Sequence, residues 1–141
     1  MKQKLEPAKL PRPGGPYSHG LKVSCRDLVF VAGQIPVDKD GNIVGIDPSD
    51  QFRYPIDLET QVRQAYLNVV AVLEEGGASV RDIVRLDTYV AVSAMNEYRK
   101  IGLKLKREML QGSVPPGATV FVNALMITNA LIEIAAIAAI D

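Results

Sequence analysis

Residues 131–140 are apolar on both sides of an alternating pattern, and this segment constrains the fold more than any other. One side of the predicted strand carries Ile132, Ile134, Ala136 and Ala138, and the other carries Leu131, Ala135 and Ile137. A strand of this kind is buried on both faces of its sheet. The chain offers only two helical segments, which can cover one face. The second face is therefore predicted to be apolar and bare, which favours self-association.

The remaining periodicities predict a single α+β domain that spans residues 1–141. Strands are predicted at 21–24, 28–32, 83–92, 118–125 and 131–140. Helices are predicted from an N-cap at Asp57 to Gly76-Gly77, and over residues 95–110. This order is not a run of parallel βαβ units, so we expect a mixed sheet with both helices on one face. The Lys- and Pro-rich residues 1–16 are expected to form an extended arm.

Composition narrows the classes of function. Lys and Arg number 16, as do Asp and Glu, so no net charge steers the chain to nucleic acid or to a membrane. The single cysteine, Cys25, precludes an internal disulfide and suits a reducing compartment. Residues 1–10 lack the apolar core of a signal peptide, so a cytoplasmic protein is expected. The sequence lacks a metal-spaced Cys/His pair, a P-loop and a dinucleotide fingerprint, so no metal or cofactor is expected.

Two motifs near the first strands indicate a ligand site. The Gly/Pro-rich turn Gly14-Gly15-Pro16-Tyr17-Ser18-His19 places Tyr17 and His19 just ahead of a strand. The segment Val29-Phe30-Val31-Ala32-Gly33-Gln34-Ile35-Pro36 is a strand that ends at a glycine, where backbone groups can approach a ligand closely. A small apolar domain rarely needs so many glycine and proline residues around one strand merely to fold.

With three further motifs, these stretches resemble the RidA family, also called YjgF or L-PSP endoribonuclease. The further motifs are Gln61-x-x-x-Ala65-x-x-Asn68, Leu73-Glu74-x-x-Gly77-Ala78 and Ile132-Glu133-Ile134. The resemblance covers nearly the whole chain, and the combination is specific. It implies a chorismate-mutase-like α+β subunit. It also implies a homotrimer whose sheets form a central barrel, with a small-molecule site in each cleft between subunits.

The resemblance also implies a reaction. RidA-type members hydrolyse reactive enamines and imines of small 2-amino acids and release ammonia and a 2-keto acid without a cofactor. Carried over by position, Glu133 handles the attacking water, Gly33 supplies backbone groups, Tyr17 lines the cleft and Thr119 matches a cleft residue that is often Cys or Thr.

Three departures from the family pattern predict an altered specificity. Gly117 stands where the deaminase branch has an arginine, Ala32 where it has a serine, and Gly102 where it has an asparagine. A bidentate arginine–carboxylate pair contributes about 1.5–3 kcal/mol, so a simple amino-acid imine should bind roughly tenfold less tightly or worse. The cleft is expected to be roomier and less polar, which points to a different, larger or less anionic ligand.

Each candidate residue has a competing structural interpretation. Glu133 could face a subunit seam or pair with a lysine, and Tyr17 could pack at that seam. His19 and Arg53 are further candidates, but a hydrogen-bonded structural histidine and a solvated loop arginine are the interpretations that the sequence favours. The cations of the second helix fit a solvated face, since no aromatic residues alternate with them. They are Arg99, Lys100, Lys104, Lys106 and Arg107.

Three functions remain open from the sequence. The leading hypothesis is an enamine or imine hydrolase of deaminase type with altered specificity. The alternative is a trimer that binds a small molecule, or regulates, without catalysis. The third is the endoribonuclease or translation-inhibitor activity in the family name, which the balanced charge disfavours. The sequence leaves open the substrate, the pathway, whether turnover occurs and what replaces the missing carboxylate anchor.

Overall fold

A computed structural model describes residues 1–47, 49–50 and 55–141. Its strands are β1 (Lys2–Leu5), β2 (Gly20–Val23), β3 (Asp27–Gln34), β4 (Ile83–Ala91), β5 (Thr119–Val122) and β6 (Ile132–Ile140). Its helices are α1 (Leu58–Glu75) and α2 (Met95–Met109), with 3-10 turns at Val80–Asp82 and Val92–Ala94. This is the predicted α+β order with one strand added in front. The candidate Arg53 lies outside the described residues.

The main sheet is mixed, as predicted, and has the order β3-β6-β4-β5. Strand β6 lies between β3 and β4 and is antiparallel to both, whereas β4 and β5 are parallel neighbours joined by α2. The central position of β6 accounts for its apolar sequence, because a strand with neighbours on both sides needs its two faces covered. The parallel β4–α2–β5 crossover places α2 over the outer half of the sheet.

Both helices pack on one face of this sheet. Helix α1 begins at Asp57, whose side chain accepts a hydrogen bond from the Thr60 N–H at 3.1 Å, and it ends at Gly76. Gly77 follows with a φ of 73°, the left-handed conformation that a glycine adopts at low cost. The short turn after it has a capping box formed by Ser79 and Asp82. The core under the helices takes its largest residues from α1, β4, β6 and the end of α2: Leu58, Tyr66, Leu73, Leu86, Leu110, Ile132 and Ile134.

The second face of the sheet is bare in the single chain, as predicted from β6. Phe30 of β3 is 69% exposed, and Leu28, Tyr89 and Val120 are also exposed. The cross-strand register places Phe30 beside Ile137 and Tyr89 beside Glu133, so these residues share one continuous surface. An apolar face of this extent is typical of an interface between protein chains.

The N-terminal arm is more ordered than the sequence indicated. Residues 1–16 were expected to be only extended, but Lys2–Leu5 pair in antiparallel register with Gly20–Val23 as a separate two-stranded sheet. The Lys2 ammonium donates to a carboxylate oxygen of Asp82 at 3.2 Å and holds this small sheet against the main domain. The sequence of β1 does not indicate a strand, because all four residues are exposed and apolar and polar residues do not alternate.

One helix prediction needs correction. Lys106 was counted with the solvated charges of the second helix but is only 9% exposed. Among the residues described, neither helix is both long and apolar enough to cross a membrane.

Glycines at two positions allow groups to approach more closely than a side chain would permit. In α2, a Cβ on Gly102 would lie 2.6 Å from the Tyr98 ring, which occupies that space. Before β5, a Cβ on Gly117 would overlap the backbone carbonyl of Leu86. The neighbouring Pro116 carbonyl accepts the Leu86 N–H at 3.0 Å, so the two backbones are held together here. Position 117 therefore has no room for any side chain while β4 and β5 keep this register.

We expect Gly117→Ala to lower the free energy of unfolding by about 1–3 kcal/mol, the usual cost of forcing extra atoms into a packed site. Urea denaturation followed by circular dichroism measures this. Gly14→Ala is the control, since a Cβ at Gly14 meets no atom within 4 Å. Equal stability of the two variants would show that position 117 accommodates a side chain.

We expect Tyr66→Phe to raise the free energy of unfolding by about 1 kcal/mol, because a buried hydroxyl without a hydrogen bond is costly. The Tyr66 hydroxyl is buried and has no hydrogen-bond partner among the described residues. Its pKa is raised, mainly by burial and also by the nearby Tyr98. The ring and its packing are retained in the variant. The same denaturation experiment would contradict this expectation if Tyr66→Phe unfolded at lower urea than the parent chain.

Candidate functional site

Glu133 and Gly33 meet on the bare face of the sheet. Glu133 lies near the start of β6, and a Cβ on Gly33 would be 2.8 Å from its carboxyl carbon. The absence of a side chain at Gly33 therefore leaves the space that the carboxyl group occupies. The half-buried Glu133 makes no hydrogen bond or ion pair with any residue that the structure describes. The competing interpretation, a carboxylate paired with a lysine of its own chain, is not what the described residues show.

The backbone beside this carboxyl group is irregular. Strand β3 pairs regularly with β6 as far as Val31, and the register then shifts before Gln34. Ala32 and Gly33 lie in the interrupted stretch, where both are exposed. The Ala32 carbonyl accepts a hydrogen bond from the Gln34 side chain at 3.2 Å. Such an interruption leaves ladder positions of the backbone unpaired.

Two amide side chains of α1 hold the neighbouring segments in position. The Asn68 side chain donates to the carbonyls of Ile35 and Val37, both at 2.9 Å, and so fixes the chain just beyond Gly33. The fully buried Gln61 accepts the Leu131 N–H at 2.9 Å, two residues before Glu133. The Gln-x-x-x-Ala-x-x-Asn motif thus positions both sides of the Gly33–Glu133 contact.

Charged residues of β4 share this face. Arg85 Nε donates to one Asp87 oxygen at 2.7 Å, and the other Asp87 oxygen accepts the Ala118 N–H at 3.0 Å. The Asp87 pair raises the pKa of Arg85. Asp87 pairs with Ala135 in the register, two residues from Glu133 on β6. The surroundings of Glu133 in its own chain are therefore a tyrosine, small apolar residues and a second carboxylate whose charge is offset by Arg85.

Thr119 lies on the other side of the sheet. It pairs in parallel with Thr88, which is buried under the helices, so both side chains point to the helical face. Phe121, two residues on, contacts the Tyr98 ring of α2 edge-on at 6.3 Å between centroids. Thr119 remains exposed despite facing the helical side, because β5 is an edge strand. Gly117 precedes β5 and is also exposed, and a Cβ there would point at the Leu86 backbone of the neighbouring strand. Glu133 and Thr119 of one chain are thus separated by the sheet.

The turn carrying Tyr17 belongs with the β5 side. Ser18 is buried and donates to the Val114 carbonyl at 2.7 Å, which ties the turn to the connection that leads into Gly117. Tyr17 is 40% exposed and contacts His19 edge-on at 6.3 Å between centroids. With residues 6–13 of the arm, the two rings line a cavity of about 630 Å³. A His19 ring nitrogen forms a 2.7 Å hydrogen bond with the Pro11 carbonyl, which agrees with the structural interpretation of this histidine.

The structure therefore divides the predicted site residues into two groups. Glu133, Gly33 and Ala32 lie on the bare face. Gly117 and Thr119 lie at the β5 edge, with the Tyr17 turn attached beside them. Among the described residues of a single chain, nothing brings the two groups together.

Sequence reasoning missed Asp87, which shares the bare face with Glu133, and the burial of Lys106. Asp87 alternates with Arg85 and Tyr89 along β4, so three polar or aromatic residues on the non-core side were a readable signal. Lys106 lies four residues after Gly102 and eight after Tyr98, and all three are buried on one face of α2. Within the described parts of the chain, no group of three or more His, Cys, Asp or Glu side chains is placed to hold a metal ion.

Comparisons with known proteins agree with this architecture. The family model described as Endoribonuclease L-PSP matches residues 8–140. A RutC family protein of Pyrococcus abyssi is 37% identical over 131 residues, which is 92% of this chain and 91% of that protein. A protein of Dermatophagoides farinae named 2-iminobutanoate/2-iminopropanoate deaminase is 30% identical over 131 residues. The match covers 93% of this chain and 91% of that protein.

A solved structure shows the same fold. The crystal structure of YyfB from Yersinia pestis, described as a protein of unknown function of the conserved Rid family, superposes with a TM-score of 0.81. Its sequence identity is 27%, and the match covers 99% of this chain and 98% of that one. The mixed sheet with two helices on one face is therefore the Rid architecture. On the family model and these relatives together, the chain belongs to the Endoribonuclease L-PSP family, the RidA/YjgF proteins.

Proposed function

We propose that this protein hydrolyses an enamine or imine in a cleft between subunits of a homotrimer, with Glu133 handling the water. The observation that carries the proposal is the half-buried Glu133 carboxyl group, which lies against Gly33 and makes no hydrogen bond or ion pair with any residue that the structure describes. A carboxylate without an internal partner is free to accept a proton from water. The deaminase name of a relative 30% identical supports the same reaction class.

The reaction needs few groups. Glu133 takes a proton from a water molecule as the water oxygen bonds to the carbon of the C=N group. Glu133 returns that proton to the nitrogen, which gives a tetrahedral amino alcohol. The hydroxyl proton of this intermediate then passes to the nitrogen as the carbon–nitrogen bond breaks, and ammonia and a carbonyl compound leave. Exposed backbone groups at Ala32 and Gly33, beside the carboxylate, would fix the reacting end of the substrate. An enamine enters the same path once its carbon is protonated to give the imine.

The division of the site between two faces supports an assembly. A cleft that contains both Glu133 and Thr119 requires that the bare face of one chain meet the β5 edge of another. The exposed Phe30 and Leu28 supply apolar area for such an interface. We further propose that the protein acts in the cytoplasm, a reducing compartment that suits a chain with a single cysteine.

Specificity should differ from that of relatives with an arginine before β5. Position 117 cannot present a side chain, because its backbone lies against the Leu86 carbonyl. The Tyr98 ring fills the space at Gly102, where the family pattern has an asparagine. The substrate must therefore be held by different contacts from those that the family pattern implies.

We expect Glu133→Gln to reduce hydrolysis by a factor of about 10²–10⁴, the usual contribution of a general base. Ammonia release is measured while a threonine dehydratase generates 2-iminobutanoate in the cuvette, with the buffer-catalysed rate subtracted. Glu74→Gln, an exposed position on α1, is the matched control and should keep full activity. If Glu133→Gln released ammonia at the rate of the parent chain, the proposed role of Glu133 would be excluded.

The same assay addresses the alternative function. A chain that binds 2-oxobutanoate in calorimetry but adds nothing to the buffer rate would be a binding protein, and the hydrolase proposal would fail.

We expect Phe30→Glu to convert the trimer to a monomer, because a carboxylate would be buried unpaired in the interface. Light scattering after size exclusion measures the mass. Leu67→Glu is the control: Leu67 is 51% exposed on the outer surface of α1, away from the bare face, and its replacement should leave a trimer. A trimer in both variants would show that the bare face is not the interface.

A further inference from the structure

The cavity between the N-terminal arm and the turn that carries Tyr17 has a volume of about 630 Å³. The turn contributes the rings of Tyr17 and His19 to the cavity wall, and the arm contributes three prolines together with Ala8 and Leu10. Volumes of about 300–1,000 Å³ are usual for sites that enclose a small organic ligand. This cavity, called the arm cavity below, is therefore large enough for a substantial ligand group.

The arm is held in place on both sides of the cavity. Strand β1 pairs with β2 on one side, and a His19 ring nitrogen forms a 2.7 Å hydrogen bond with the Pro11 carbonyl on the other. Between them, the Leu10 N–H donates to the Pro7 carbonyl at 3.1 Å, and the proline rings restrict the backbone further. The cavity wall is thus formed before a ligand arrives, and binding need not order the arm.

The lining of the arm cavity favours an uncharged, apolar group. Leu10 is 52% exposed and Tyr17 is 40% exposed, so a ligand in the cavity would cover apolar surface that water now contacts. The charged residues Glu6 and Arg12 both line the cavity, and their opposite signs give no preference for an anion. The edge-on rings of Tyr17 and His19 offer a face and an edge to a further aromatic ring.

Tyr17 connects the arm cavity with the proposed cleft. The family resemblance places Tyr17 in the wall of the cleft, and the structure places it in the wall of the cavity. The hydrogen bond from Ser18 to the Val114 carbonyl ties this turn to the connection that leads into Gly117. A substrate side chain that extends past Tyr17 would enter the arm cavity. The ethyl group of 2-iminobutanoate would leave most of that volume unfilled.

We propose that the arm cavity binds a large apolar side chain of the substrate. The ligand class is then an imine or enamine of an amino acid with an aromatic or long aliphatic side chain. This inference rests on the proposed function for the reaction and for the place of Tyr17 in the cleft. The arm would set specificity, while Glu133 would act on the same C=N group whatever side chain is bound.

The first experiment compares two ligands with the same head group, 2-oxobutanoate and 2-oxo-4-phenylbutanoate, by calorimetry. The parent chain should bind the phenyl compound about tenfold more tightly or better, because burial of a ring adds that much to affinity. Equal affinities, or no measurable binding of the phenyl compound, would overturn the proposal.

Two variants locate the phenyl group. Ala8→Trp fills the arm cavity and should reduce the preference for the phenyl compound to about twofold or less. Ala71→Trp, at an exposed position on α1 outside the cavity, is the matched control and should retain the preference. Leu10→Ser should reduce the preference about threefold or more, whereas Leu103→Ser on α2, where the leucine is 51% exposed, should not change it. A full preference in both Ala8→Trp and Leu10→Ser would place the phenyl group elsewhere and overturn the proposal.

A displacement experiment tests whether the arm cavity belongs to the substrate site. The phenyl compound is titrated into protein saturated with 2-oxobutanoate. Its apparent Kd should rise in proportion to the 2-oxobutanoate concentration, because the two head groups compete for one place. An unchanged Kd would show that the arm cavity is a separate site, which would overturn its assignment to the substrate side chain.

The two proposals fail separately, because these binding experiments do not depend on turnover. If the parent chain shows no hydrolysis but prefers the phenyl compound through Ala8 and Leu10, the assignment of the arm cavity stands and the hydrolase proposal falls. If hydrolysis of 2-iminobutanoate depends on Glu133 while the phenyl compound binds no better than 2-oxobutanoate, the hydrolase proposal stands and the assignment of the arm cavity falls.

Discussion

Two helices can bury one face of a four-stranded sheet and no more, and much of this structure follows from that limit. The central strand β6 is apolar on both faces, so its second face needs a cover that this chain does not supply. A covering copy of the same chain would bury apolar area and would also complete a site whose residues lie on opposite faces. Stability and function would then depend on the same contact, because Glu133 stands on the face that an assembly would cover.

Glycine has distinct physical roles at three positions around the site. At Gly33 the missing side chain leaves room for the Glu133 carboxyl group. At Gly102 it leaves room for the Tyr98 ring, whose burial raises the pKa of its hydroxyl to about 12. At Gly117 it lets two backbones approach, so that β5 can begin beside Leu86. The missing side chain at Gly33 opens space for a carboxyl group on the bare face. At Gly102 and Gly117 the chain lacks the polar side chains that the family pattern has there.

Much of the fold could be predicted from the sequence because its signals are local. The Asp57 cap, the glycines after α1 and the alternation in β6 each report on a few neighbouring residues, and each agrees with the structure. Strand β1 could not be found in this way, because its pairing with residues 20–23 depends on a partner distant in sequence and not on its own polar residues. The burial of Lys106 was likewise hidden, since a charged residue on a helix is ordinarily solvated.

The site was predictable in part for the same reason. The contact of Gly33 with Glu133 follows from two motifs and the antiparallel pairing of their strands. The separation of Glu133 from Thr119 does not, because the face to which β5 turns each side chain depends on its register with β4. That register is held by hydrogen bonds to the backbone. One of them joins the Ala118 N–H to the side-chain carboxylate of Asp87. A motif can therefore name the residues of a site without showing that they belong to different faces.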